Sequence, residues 1–321
     1  MAKAIRDAYG EALVKYGSNP DIVVLDADLS GSTRTALFQA TYPDRFFNVG
    51  VAESNMAAMG AGFASVGKIP FINTFTVFEM TLGLLPARLF GSYSGLNMKF
   101  AGCYSGLSGA YDGPTHHAIE DLAIMRALPN FRVYVASDEF STDWLVKHAI
   151  ESKGPMYIRL SREAFTTVYD SGTKFEDGKA KVLRRGKDAT ILTCGLMVGK
   201  SLSAAEELAT EGLEVEVIDM LSIKPIDADT ILTSAGLTGA IVTAEEHNII
   251  GGLGSAVSEV LAAGQAYVPV GCVGIEDCHA ESASYKELIA KYKLDVADVV
   301  AKVWETVAKK RCSAGRVRGE D

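Results

Sequence analysis

RFFNVGVAESNMAAMGAGFASVG, residues 45–67, contains a single acid, Glu53. The residues before Glu53 are apolar and read as a buried strand. Those after it are small and apolar and read as a helix. A strand that runs straight into a helix is the repeating unit of an α/β fold. A carboxylate at such a junction, among apolar neighbours, is costly to bury unless a partner offsets the loss of water. Taken alone, Glu53 also fits as an ordinary acid at a helix N-terminus, where the helix dipole favours it by about 0.3–1 kcal/mol.

The same alternation extends outward in both directions. DIVVLDA, KIPFINTF, LNMKFAG, FRVYVAS and MYIRLS read as further strands, with helical patterns at Glu53–Ser65 and Glu139–Ser152 between them. Residues 170–188 are polar, charged and glycine-containing, and read as a linker with room for a short edge strand. Alternation then resumes with ATILTCG, a helix to Thr210, LEVEVIDM, a helix from Asp227 to Ala235, GAIVTAEE, a helix from about Gly254, and VPVGCVGIED. The expected fold class is α/β, in two domains, each a mostly parallel sheet with helices on both faces. The boundaries are 1–170 and 188–310, with a linker at 171–187. The tail 311–321 is expected to be disordered.

Composition narrows the functional classes. The chain has 321 residues, 48% of them hydrophobic, enough for two cores. A net charge of −9 argues against nucleic acid or an anionic membrane as partner. No run approaches the roughly 20 apolar residues of a membrane span. The five cysteines form no C-x-x-C, and the spacing of Cys272, Cys278 and His279 matches no common zinc pattern, so no metal ligands are assigned. A reduced, cytoplasmic chain is expected.

In an open parallel sheet, ligands bind beyond the carboxyl ends of the strands. The residues that follow each strand are therefore the candidates: Asp28, Ser30 and Ser32 after the first, Glu53 after the second, Phe75 and Phe78 after the third. CYSGLSGAYDGPTHH, with Tyr104, Asp112, His116 and His117, follows the fourth, and Arg162 follows MYIRLS. Singly, each has an ordinary reading. The i, i+3 phenylalanines suit a core helix, YDGP suits a turn, and Arg162 suits a surface ion pair. Together at one sheet edge they suggest an active site. In the second half, Gly252-Leu-Gly254 lacks the third glycine of a dinucleotide fingerprint and reads better as close helix–strand packing.

LDADLSGST, NVGVAESNM, NTFTVF, DGPTHHAIEDLAIMRALPNFRVYVASD and IRLSRE, followed by IDMLSIKPID and AEEHNIIGGLGSAV, occur in the order found in the transketolase family. The sequence resembles the pyrimidine-binding and C-terminal domains of that family over about Ala2–Lys310. The resemblance implies thiamine diphosphate and Mg2+ as cofactors. It implies that Glu53 faces N1′ of the cofactor's aminopyrimidine and shares a proton there. It puts Phe75 and Phe78 in the aromatic pocket for that ring, with Asp28 among the cofactor-binding residues. It puts Asp112 and His116 on the substrate's hydroxyls, with His116 also catalytic, and Ser32 and Arg162 on the sugar phosphate. Three positions depart from the family pattern: Thr81 stands where a third pocket aromatic is usual, Ser54 follows the glutamate where His or Phe is often found, and Tyr104 replaces a substrate-binding histidine.

No Gly-Asp-Gly occurs in the chain. In the family, that motif and a following asparagine hold Mg2+ and the diphosphate. The resemblance thus implies the small, C-terminal subunit of a split transketolase. A separate N-terminal, diphosphate-binding subunit would complete it, in an α2β2 assembly around a small-subunit homodimer. The implied reaction moves a two-carbon ketol unit from a ketose phosphate to an aldose. Three other readings stay open at this point: the β subunit of a 2-oxo acid dehydrogenase, a deoxyxylulose-phosphate-synthase-like enzyme, and a non-catalytic scaffolding subunit.

Overall fold

The computed structural model describes residues 3–317. Its strands, in chain order, are β1 (Ile22–Asp26), β2 (Phe46–Asn48), β3 (Ile69–Phe75), β4 (Lys99–Cys103), β5 (Arg132–Val135), β6 (Met156–Arg159), β7 (Lys181–Arg184), β8 (Ala189–Thr193), β9 (Val215–Asp219), β10 (Ser222–Lys224), β11 (Ile241–Asn248) and β12 (Val270–Ile275). They form a seven-stranded sheet, β10-β5-β6-β4-β3-β1-β2, and a five-stranded sheet, β12-β11-β8-β9-β7. Every pairing is parallel except β10 with β5 and β7 with β9. Both domains are thus mostly parallel α/β layers.

Burial follows position in the sheet. β1, β4 and β6 are buried along their whole length, as strands covered by helices on both faces must be. β2 lies at the edge and is shorter than RFFNVGV suggests. Its ladder with β1 ends at Asn48, Gly50 takes φ +73°, and Val51 is 81% exposed. The helix Glu53–Ser65 then returns over the sheet and packs on β3. A Cβ at Gly60 would lie 2.6 Å from Ile72 Cδ1, so this helix can come so close only with glycine there.

β7 takes the place of the short edge strand that the linker left room for, and closes the second sheet as an antiparallel edge. Two elements depart from the sequence reading. β10, expected to belong with the second domain, joins the first sheet instead. Lys224 at its end donates to the carbonyls of Arg126 and Leu128. The last helix, Val296–Val317, continues into the tail that was expected to be disordered. Residues 318–321 of that tail lie outside the described residues. Among the described residues, no helix is long and apolar enough to cross a membrane.

Candidate active site

Strand register puts the candidate residues on one edge. Asp26 pairs with Asn48 of β2 and Asn73 of β3, Phe75 pairs with Cys103 of β4, and Gly102 pairs with Arg159 of β6. The chain therefore leaves five neighbouring strands at about the same level. The residues just beyond are Asp28 and Ser32, Glu53, Phe78, Tyr104 and Arg162.

An aromatic cluster forms the middle of this edge. The Phe75 and Phe78 rings stack at 6.0 Å and 18°, and Phe75 and Tyr104 stack at 4.1 Å and 22°. His116 meets Phe78 edge-on at 5.3 Å and Phe75 at 6.0 Å. Its Nδ1 lies 3.0 Å from Thr115 Oγ1. Tyr104 takes φ +60°, an uncommon backbone for a bulky residue, which turns its ring onto Phe75. Its neighbours are cationic. Arg162 Cζ lies 5.4 Å from the ring centre and Arg6 Cζ 5.5 Å, and Arg6 Nη1 donates to the Tyr104 hydroxyl at 2.7 Å. Arg6 also donates to the Ser32 carbonyl at 3.3 Å. Two guanidiniums beside one tyrosine and a serine loop make a local positive site in an acidic protein, suited to an oxyanion.

Arg6 was missed in the sequence. It begins the first helix, Ile5–Tyr16, whose buried Ile5, Tyr9 and Leu13 gave that segment the look of an amphipathic surface helix. The only available signal was an arginine one position off the buried stripe.

The loop after β1 is shaped from below by Asp26. Its carboxylate accepts from the Thr33 and Thr35 hydroxyls at 2.7 and 2.8 Å and from the Leu29 N–H at 2.6 Å. Burial pushes the Asp26 pKa up, and those three donors pull against it. Asp28, at φ +66°, is exposed and accepts from Asn48 Nδ2 at 2.9 Å. Asp112 is exposed on a 3-10 turn, Ala110–Asp112. Among the described residues, neither is hydrogen-bonded to the aromatic cluster. His117, beside His116, is buried and points its Nε2 at the Ala110 carbonyl, a structural role.

Glu53 is the first residue of its helix and only 4% exposed, with no hydrogen bond to any described residue. A carboxylate that makes no hydrogen bond within the chain can accept one from a polar group brought to it. Glu79, one residue after Phe78, is also buried, and burial pushes its pKa well above the usual carboxylate range.

In the second domain, Glu245 explains the glycines of GGLG. Its carboxylate accepts from the Leu253 and Gly254 N–H groups at 2.6 and 2.8 Å, and a Cβ at Gly252 would lie 2.0 Å from Glu245 Oε2. These glycines serve close packing against a carboxylate cap.

Comparison with known proteins agrees with this geometry. Residues 1–167 match the family model of the transketolase pyrimidine-binding domain, and residues 178–299 that of the transketolase C-terminal domain. A putative transketolase C-terminal section from Methanocaldococcus jannaschii is 40% identical over 310 residues, covering 96% of this chain and 97% of the relative. The 6-deoxy-6-sulfo-D-fructose transketolase subunit SqwH from a Clostridium species is 39% identical, with 95% of each chain covered. A solved structure described as a split gene transketolase, inactive beta4 tetramer, superposes with a TM-score of 0.88 at 47% identity, covering 97% of this chain and all of that one. The chain belongs to the transketolase family and is built from that family's pyrimidine-binding and C-terminal domains.

Proposed function

We propose that this chain is the C-terminal subunit of a split, thiamine-diphosphate-dependent transketolase that moves a two-carbon ketol unit from a ketose phosphate to an aldose. The observation that carries the reading is the shared edge. The Glu53 carboxylate, a stacked aromatic floor and the Arg162 guanidinium leave the same level of one sheet, and Arg6 reaches them from the first helix.

The residues fit the cofactor's pyrimidine. Phe78 is half-buried and offers a ring face to a planar heterocycle, and Glu53 offers an acceptor. Bound thiamine diphosphate supplies a nucleophilic thiazolium carbon. Glu53 holds the proton at N1′, Phe75 and Phe78 orient the ring, and His116 and Asp112 meet the sugar's hydroxyls. Arg6, Arg162 and the Ser32 loop hold its phosphate. The DGPTH loop and the arginine of IRLSRE favour the transketolase reading over the dehydrogenase one.

Mg2+ and the diphosphate are assigned to a partner N-terminal subunit, because the relatives matched over nearly their whole length are named as a transketolase C-terminal section and a transketolase subunit. Calorimetry on the purified chain is expected to show weak binding of thiamine diphosphate, with magnesium making little difference. Tight, magnesium-dependent binding by this chain alone would contradict the split-enzyme assignment.

Arg162→Ala is expected to raise KM for a phosphorylated ketose about 10- to 150-fold more than for its free sugar, since a charged hydrogen bond contributes about 1.5–3 kcal/mol. Steady-state kinetics with both subunits present makes the comparison. Equal slowing of the two substrates would assign Arg162 to general positioning.

An α2β2 assembly around a small-subunit dimer is supported by an uncharged surface. Ser54–Gly67 carries no charged side chain, and Met80–Met98 carries only Arg88. The two segments pack together, and Val66, Leu82, Leu85 and Tyr93 stand exposed on them. Apolar, uncharged area on a chain of net charge −9 suits burial against a second subunit. A cytoplasmic location is supported by the four free cysteines Cys103, Cys194, Cys272 and Cys278.

A further inference from the structure

The loop that carries Tyr104, Asp112 and His116 runs over the second domain and is held from behind by it. Glu246, at the end of β11, accepts the Leu107 N–H on Oε1 at 2.7 Å and the Tyr285 hydroxyl on Oε2 at 3.1 Å. The approach is so close that a Cβ at Gly106 would lie 2.4 Å from Glu246 Oε1, and Gly106 itself takes φ +61°. Side chain and loop therefore constrain each other, since any larger residue at 106 would displace the carboxylate. Further along the loop, Ser282 Oγ donates to the Tyr111 carbonyl at 2.6 Å. At its far end the Asn248 N–H donates to the Ile119 carbonyl at 2.7 Å, and Arg159 Nη2 bridges the carbonyls of Ala118 and Glu246. Within the loop, Gly106 and Ala118 exchange both backbone hydrogen bonds, so its two ends are cinched where the second domain grips it.

We infer that the second domain is a clamp that sets the conformation of the substrate loop, with Glu246 as its positioning residue. Glu246 is buried and its carboxylate bonds to Leu107 and Tyr285, so it acts on substrate through residues 104–119. Asp112 and His116 are exposed or half-buried and make few bonds of their own. Their placement then depends on the three grips at 106–107, 111 and 118–119. The clamp deepens the proposed function, since its effect on kinetics presumes that Asp112 and His116 meet the sugar. Its effect on loop order does not.

Hydrogen–deuterium exchange on the full chain tests it without any partner. Glu246→Ala is expected to speed exchange in peptides covering 104–119 by at least about 10-fold, the loss of one hydrogen bond to a charged acceptor. Peptides from β1 and β3 are expected to be unchanged. Glu246→Gln, which keeps an acceptor for the Leu107 N–H, is expected to restore most of the protection. Should Glu246→Ala fail to fold, Ser282→Ala decides, because Ser282 is exposed. It is expected to speed exchange at 110–116 with an unchanged melting temperature. Uniform faster exchange across the chain, a glutamine variant no better than alanine, or an unaltered loop in Ser282→Ala would each overturn the clamp. With the partner subunit added, Ser282→Ala is expected to raise KM for the ketose and leave cofactor affinity as it was. An unchanged loop with a normal Arg162→Ala response rejects the clamp alone. An altered loop with no response from either variant in KM rejects the functional reading instead.

Discussion

Glu53→Gln is expected to lower turnover of the two-subunit enzyme by about 10²- to 10⁴-fold, the usual contribution of a positioned acid–base group. The fold is expected to survive. Glutamine has the same size, and the helix Glu53–Ser65 loses only the favourable charge at its N-terminus, about 0.3–1 kcal/mol. In compensation, an amide is cheaper to bury than an unpartnered carboxylate. What the amide cannot do is exchange a proton with a ring nitrogen. Circular dichroism melts and a ketol-transfer assay on the same preparations separate the two effects. Turnover within about tenfold of wild type, roughly 1.4 kcal/mol of barrier, would remove Glu53 from the chemistry.

The largest stability effect is expected at Arg159. Its guanidinium lies between the domains, 4% exposed. Nε donates to Asp121 Oδ2 at 2.7 Å, and Nη2 to Asp121 Oδ1 at 3.2 Å and to the Glu246 carbonyl at 2.9 Å. Asp121 is fully buried and also meets the Tyr157 hydroxyl at 2.7 Å, with His247 Nε2 3.9 Å from its Oδ1. Arg159→Met removes the cation and leaves that carboxylate uncompensated, which costs about 3–5 kcal/mol. A urea titration followed by fluorescence would show the loss as a lower midpoint. Adding Asp121→Asn to the same chain is expected to recover a large part, because the stranded charge and not the missing pair carries most of the cost. A single-variant loss below about 1 kcal/mol, typical of an exposed pair, would mean that water reaches this site.

How legible this molecule is from its sequence depends on how local the determinant is. Strands buried on both faces are short apolar runs between helices, so β1, β3, β4 and β6 can be read directly, and with them the edge where ligands bind. The helix starting at Glu53 is equally clear. β2 looks longer in sequence than it is, since Val51 is apolar yet exposed, and beyond Asn48 only the Val49 N–H still reaches β1, at the Asp26 carbonyl. β10 is invisible because three residues set no period, and its partner β5 lies some ninety residues earlier in the chain (222 − 132 = 90). Phe75, Phe78, Tyr104, His116 and Arg162 are brought together, as their strand-end positions imply. Asp28 and Asp112 share the edge without, among the described residues, a hydrogen bond to that cluster. Arg6 could not be found from its own neighbourhood, because what makes it matter is Tyr104, a residue ninety-eight positions away.

The β10–β5 pairing has a consequence for biosynthesis. β5 cannot be covered until Lys224 has left the ribosome, well after the rest of its sheet is complete. At about 5–20 residues per second, the nascent first domain spends on the order of seconds with a bare strand edge. Such an edge is a template for pairing with other chains. A gene truncated after the first domain would make that interval permanent. The second domain is thus also the first domain's protection against association during synthesis, and the two halves of this chain are expected to express poorly when separated.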